Sequence, residues 1–148
     1  MKNYKSNLAL VNAYATCLSS EGKANNMSFR GATIYSYGEH FPIATRTECL
    51  TFFNGQYYSN TTAKHKSLVR SAIANDNIVE CMYVPTWSEI ERNWCGTIHV
   101  NNMLYWNTRI ANLTKELENP RNRNKKRRLD EVERLISNRT QYKKFFNL

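Results

Sequence analysis

The sequence predicts an α+β fold: an antiparallel meander sheet of four to five strands, with packed helices and a C-terminal helical hairpin. Three observations point there. Apolar residues recur at helical spacing near the N-terminus and again after residue 100. Residues 27–60 alternate bulky with small side chains and are rich in aromatic and β-branched types. Asn119-Pro120 divides the C-terminal helical pattern into two arms.

In chain order, Leu8, Val11, Ala15 and Leu18 place one apolar face on a helix over 6–20, with Gly22 as a stop. Met27–Arg30 reads as a short strand, Gly31 as a turn, and Thr33–Tyr37 as a second strand ended by Gly38. Phe41–Arg46 can then pair back only as an edge strand, because Pro42 has no N–H for a ladder. Asn54-Gly55 lies between the aromatic stretches Cys49–Phe53 and Gln56–Ser59, and predicts a tight hairpin with positive φ in its turn. Leu68, Val69, Ala72 and Ile73 then mark a helix over 62–74, capped by Thr61 or Thr62. Ile78–Val84, ended by Pro85, is one more strand, and residues 86–96 form a helical turn or two with Trp87, Ile90 and Trp94 on one side. Met103, Trp106, Ile110, Leu113 and Leu117 step by three and four along one long helix. Leu129, Val132, Leu135, Ile136, Tyr142 and Phe146 mark the last.

The 148 residues form one domain, with a β-rich core at 24–75 and a basic helical hairpin at 100–148. With 41% hydrophobic and 12% aromatic residues, the chain is not disordered. No apolar run approaches the roughly 18 residues that span a bilayer, and Asn12 breaks any signal-peptide core, so no membrane partner and no export are expected. Cys17, Cys49, Cys81 and Cys95 contain no C-x-x-C pair and read as half-buried small hydrophobes.

Charge is unevenly placed. Lys and Arg number 21 against 12 Asp and Glu, a formal net charge of +9. Residues 111–148 alone hold 11 basic and 5 acidic side chains, two-thirds of the excess. Its focus is Arg121-Asn122-Arg123-Asn124-Lys125-Lys126-Arg127-Arg128. Lys and Arg bind phosphates with release of counterions, and Arg also contacts base edges. Arg121, Arg123, Lys125, Lys126, Arg127 and Arg128 are therefore the leading candidates for binding nucleic acid or a partner. The alternative is a solvated hairpin connection.

A second cluster, Thr61, Thr62, Lys64, His65, Lys66 and Arg70, falls at a helix start, where free backbone N–H groups favour a phosphate or other anion. There Lys66 and Arg70 would share an exposed face, and His65 could instead be a hydrogen-bonded core residue. Tyr35, Tyr37, Phe52, Tyr57 and Tyr58 offer either a stacking platform for bases or core packing. No catalytic residue is assigned. His40, His65 and His99 have no metal-ligand spacing, and no phosphate-loop or nucleophile-elbow motif occurs; Glu39-His40 and Glu89/Glu91 could in principle act as acid or base, but adjacent Glu-His occurs by chance. No metal and no cofactor are expected.

The ordered string Ile34-Tyr35-Ser36-Tyr37-Gly38, Phe41-Pro42-Ile43-Ala44, and Tyr58-Ser59-x-Thr61-Thr62-x-Lys64-His65-Lys66-x-x-Val69-Arg70 resembles a small domain of unknown function found in tailed-phage and mobile-element proteins. The resemblance covers residues 24–75. It implies a phage context and, with no export signal, the cytoplasm of an infected bacterial host. It carries over no activity. The expected function is a non-enzymatic phage accessory protein that binds nucleic acid through its basic surface. The alternative is an anti-CRISPR-like host-defence inhibitor docking on a protein or nucleoprotein complex and blocking its nucleic-acid channel. A nucleotide-signal sponge using the 61–70 cluster is the third reading.

Overall fold

The computed structural model describes residues 1–92 and 95–148, Cys95 by its backbone alone. In chain order the elements are β1 (Lys2–Asn3), α1 (Asn7–Ala15), β2 (Glu21–Ala24), β3 (Met27–Arg30), β4 (Thr33–Ser36), β5 (Phe41–Arg46), β6 (Thr51–Asn54), α2 (Asn60–Ala72), β7 (Ile78–Cys81), α3 (Trp87–Glu91), α4 (Cys95–Leu117) and α5 (Lys125–Phe146). Among the described residues no helix is long and apolar enough to cross a membrane.

The fold is α+β, but its sheet is larger than expected and mixed. Seven strands lie in sequence order. Strands β2 to β6 form an antiparallel meander, while β1 pairs parallel to β2 and β7 parallel to β6. Each parallel pair is joined through a helix, α1 or α2, because parallel neighbours cannot be connected by a tight turn.

The predicted Asn54-Gly55 hairpin does not form. Gly55 is not among the positive-φ residues, and its N–H donates to the Cys81 carbonyl (2.8 Å), extending the β6–β7 ladder. Asn54 Oδ1 accepts from the Gln56 N–H (2.8 Å) and Nδ2 donates to the Pro42 carbonyl (2.8 Å). Residues 56–59 are consequently a loop into α2. A strand supplied from across α2 displaced the local turn.

Pro42 misled for a related reason. Its strand, β5, lies inside the sheet between β4 and β6. However, β6 pairs only with Ala44–Arg46, so Pro42 lies beyond that ladder, and the β4–β5 register shifts beside it between Ile34 and Tyr35.

Phe52 and Phe53 show how the two faces are used. Consecutive strand residues point to opposite sides. Phe53 joins Leu10, Phe29, Ile34, Val69 and Ile73 beneath α1 and α2. Phe52 joins Val79, Cys81, Trp106, Leu113, Leu135 and Tyr142 beneath the α4–α5 hairpin.

Both helix edges expected from the sequence shift. In α1 the buried side chains are Leu10, Val11, Ala13 and Tyr14, while Leu8 and Leu18 are 56% and 67% exposed. The helix ends at Ala15 and Cys17 turns with φ of 54°, so Leu18 falls outside the stripe. The cap of α2 is Ser59, whose Oγ accepts from the Thr62 N–H, rather than Thr61 or Thr62. Trp87 opens α3, and Trp94 lies outside the described residues.

Two polar fasteners tie the layers. Arg46 grips Asp76 through Nε–Oδ2 (2.7 Å) and Nη2–Oδ1 (3.1 Å), and its Nη1 donates to the Ala15 carbonyl at the end of α1 (2.7 Å). Burial works to raise the Asp76 pKa, but hydrogen bonds from Arg46 and Thr51 hold it below the ordinary carboxylate value. Asn102, wholly buried in α4, receives the N–H groups of Met82 and Tyr83 on Oδ1 (both 2.7 Å). Its Nδ2 donates to the carbonyls of Tyr83 (3.0 Å) and Ile98 (3.1 Å).

Gly22 does not stop α1; it is a buried residue of β2. A Cβ there would stand 2.5 Å from Tyr4 Cε2 and 2.9 Å from Phe29 Cε1. At Gly55 the nearest atom would be the Cys81 carbonyl oxygen at 3.5 Å, an ordinary contact. Overpacking costs about 1–3 kcal/mol, so Gly22→Ala lowers Tm by roughly 3–10 °C. Gly55→Ala leaves Tm unchanged or slightly higher, since alanine restricts the unfolded chain. Thermal unfolding of both variants checks the pair; a large loss at Gly55 would restore the turn that the sequence suggested.

Candidate nucleic-acid interface

The connection between α4 and α5 is built by asparagines. Asn119 Oδ1 accepts from the Arg121 N–H (3.0 Å), Asn122 Oδ1 from the Asn124 N–H (2.9 Å), and Asn122 Nδ2 donates to the Glu116 carbonyl (3.1 Å). Such local bonds favour turns over continued helix. They split the basic run: Arg121 and Arg123 lie in the turn, and Lys125, Lys126, Arg127 and Arg128 form the first turn of α5. That first turn holds no acidic residue. A helix N-terminus carries a partial positive charge, so each cation there is disfavoured by about 0.3–1 kcal/mol. The sequence thus concentrates positive charge where helix stability opposes it.

Among the described residues, Arg128 alone of these cations is neutralised. Arg128 pairs with Glu116 across the hairpin (3.1 Å) and more loosely with Glu131 (3.8 Å), and Glu131 also binds Arg109 of α4 (2.8 Å). Arg121, Arg123, Lys125, Lys126 and Arg127 are exposed and form no ion pair among the described residues.

Beside this turn, α4, α5 and the 55–57 loop enclose a groove of about 800 Å³. Arg109, Arg127, Arg128 and Arg134 line it together with Tyr57 and Tyr105, and Asp130 and Glu131 also face it. The loop wall is fastened from several sides. Besides the Asn54 bonds, Lys66 Nζ donates to the Gln56 carbonyl (2.8 Å), Gln56 Nε2 donates to the Met82 carbonyl, and Arg134 Nη1 reaches the Gly55 carbonyl (3.4 Å). A smaller recess of about 240 Å³ shares Tyr57 and Arg134 with the groove and adds Tyr58 and Lys66. Of the sequence-nominated run, Arg127 and Arg128 reach the groove. Arg109, Arg134 and Tyr105 were not nominated. The signal for Arg134 was its place seven residues after Arg127, two turns along one helix face.

The cluster at the start of α2 is dispersed. Thr62 is buried, accepting from Ser59 Oγ (3.1 Å) and facing Ser36 Oγ (3.4 Å). His65 is buried with Nδ1 against Ser36 Oγ (2.7 Å) and Nε2 against Asn7 Nδ2 (3.3 Å). Lys66 is half-buried over the Phe53 ring, and burial pushes its ammonium pKa down. Arg70 is exposed but paired with Glu80 (2.9 Å), so the two do not share an open face. Thr61 and Lys64 are exposed. No common anion point results.

The aromatic set divides likewise. Tyr35 and Phe52 are buried. Tyr37 and Phe41 pack against Tyr58, at 6.4 and 5.4 Å between ring centroids, leaving Tyr57 and Tyr58 65% and 66% exposed. The acidic candidates have structural partners. Glu39 pairs with Arg30 (3.0 Å), Glu89 accepts from Tyr83 Oη (2.7 Å) and the Thr86 N–H (2.6 Å), and Glu91 accepts from Trp87 Nε1 (2.6 Å). Cys17 and Cys49 are exposed and Cys81 is buried, all three free thiols, so none matches the half-buried expectation. Among the described residues no group of three or more His, Cys, Asp or Glu could hold a metal ion.

The chain matches no protein-family model, no curated protein and no solved structure. Function is therefore read from the chemistry of the hairpin and its groove.

Burial holds the imidazoles of His65 and His99 below the ordinary histidine pKa. The unfolded chain takes up these protons near pH 6.5 while the folded chain resists them, so stability is retained above that pH and lost below it. Tm measured from pH 7.5 to 5.5 falls, and His65→Gln/His99→Gln flattens the fall. Equal slopes for the two proteins would remove both histidines from this role.

Proposed function

We propose that the protein is a non-enzymatic nucleic-acid-binding protein whose ligand lies on the basic end of the α4–α5 hairpin. The observation that carries this reading is the first turn of α5. Lys125, Lys126 and Arg127 are exposed, unpaired among the described residues, and set at the helix end that disfavours cations. Folding does not select that arrangement; binding to a polyanion does. Five unpaired cations over 121–127 can neutralise several phosphates, releasing counterions with each. The mobile-element resemblance of residues 24–75 fits a phage accessory role in the host cytoplasm.

The second reading, an inhibitor of host defence that docks on a nucleoprotein complex, draws on Val100 and Leu104. These are 65% and 62% exposed at i, i+4 on α4 and could anchor a protein surface. The nucleotide-sponge reading has lost its side chains, because Thr62, His65 and Lys66 are turned to internal partners.

Changing Arg123, Lys125, Lys126 and Arg127 to Ser is expected to abolish most nucleic-acid binding. The log–log salt slope flattens by about 0.7–0.9 for each phosphate that the variant no longer neutralises. A companion variant separates binding from folding. Lys125→Glu/Lys126→Glu places anions at the positive helix end, so it raises Tm while weakening binding. Anisotropy titrations over a salt series and thermal melts read both. Binding equal to wild type at every salt concentration would reduce the run to a solvated connection.

A further inference from the structure

Resting on the nucleic-acid reading, we infer that the groove takes a single strand, with unpaired bases on Tyr57 and Tyr105 and phosphates on Arg127 and Arg134.

The two rings are presented for stacking. Tyr105 is 47% exposed and stands nearly parallel to Tyr83 on one side, at 6.3 Å and 18°. Tyr83 is fixed in turn by its hydroxyl on Glu89 (2.7 Å). Tyr57 is 65% exposed, and its hydroxyl donates to Asn60 Oδ1 (2.9 Å). Rings already held by neighbours lose little freedom when a base stacks on them. Paired bases inside a duplex do not offer their faces, whereas unpaired bases do.

The charge count points the same way. Of the four groove arginines, Arg109 and Arg128 already share Glu131, which leaves Arg127 and Arg134 without a carboxylate among the described residues. They lie two helical turns apart, about 10.5 Å along α5. Inside the groove itself, two cations without a carboxylate are few for a duplex, whose non-specific affinity comes almost wholly from phosphate contacts. Asp130 lies between them in sequence and also faces the groove. A continuous phosphate track would meet that carboxylate, whereas a single strand can turn its base edges to it, and carboxylates accept hydrogen bonds from exocyclic amino groups.

Anisotropy titration of the full chain tests this with an oligothymidylate and an oligouridylate of about twelve nucleotides and a duplex of equal length. The single strands bind at least about tenfold tighter than the duplex. Tyr57→Ala and Tyr105→Ala each weaken single-strand binding roughly fivefold or more with no change in salt slope, and Tyr57→Phe, which keeps the ring but not its bond to Asn60, loses less than Tyr57→Ala. Arg127→Ser/Arg134→Ser flattens the slope instead. Both tyrosines are substantially exposed, so melts of the variants stay at the wild-type Tm. Equal affinity for strand and duplex, with neutral tyrosine variants, overturns the inference and leaves basic-surface binding standing. Binding of neither overturns both.

Discussion

Asn102 sits in the N-terminal half of α4 with no solvent exposure, and its amide meets the backbone of the segment leaving β7 on both donor and acceptor sides. Two N–H groups point at its oxygen, and its nitrogen returns two bonds to carbonyls, one of them in its own helix. The side chain behaves as a short strand added after Cys81. Without it the Met82 and Tyr83 amides would be stranded in an apolar setting, at about 1–3 kcal/mol for each unsatisfied group. The apolar contacts of Trp106, Leu113 and Leu135 with Val79 and Cys81 are strong but non-directional. The amide fixes where along the sheet the hairpin docks, and so decides that Tyr105 and Arg109 face the 55–57 loop.

The groove is a consequence of that docking. Its loop wall comes from the end of β6, held by Asn54, Gln56 and Lys66, and its far wall from α5. Arg109, Glu131, Arg128 and Glu116 link the two helices through alternating charges. Half-exposed pairs of this kind are each worth only about 1 kcal/mol, so the hairpin is held by its apolar seam and the network sets side-chain positions. What remains unbalanced is the positive end of α5. Stability accounts for the pairs and not for the unpaired cations beside them.

The helices were legible because their apolar residues repeat at steps of three and four, and the strands at 27–30, 33–36 and 41–46 because they alternate. Several things could not be read, among them β2, where Gly22 suggested only the end of a helix. Asn54-Gly55 carries the local signature of a hairpin, but the partner that wins is β7, which arrives more than twenty residues later. The parallel edge strands depend on α1 and α2 folding back, which no local pattern encodes. Ile136 reads as part of the last helix stripe yet is 40% exposed, since the hairpin buries the side of Val132, Leu135 and Tyr142. At the site, the charge run was visible as composition. Arg109, Arg134 and Tyr105 were not, because their meeting point exists only once α4 and α5 are antiparallel on the sheet. Asn102 left one trace, a polar residue four places from Ile98 and from Trp106 on a buried face.

The proposed ligand position, in the groove made by the hairpin and the 55–57 loop, can be tested without any substitution. Hydrogen exchange of the full chain, with and without a single-stranded oligonucleotide, reads it directly. Exchange is expected to slow in residues 55–58 and at the start of α5, with the amides of β2–β4 unchanged. Protection confined to the 119–124 turn, or falling on the sheet, would contradict a ligand in the groove.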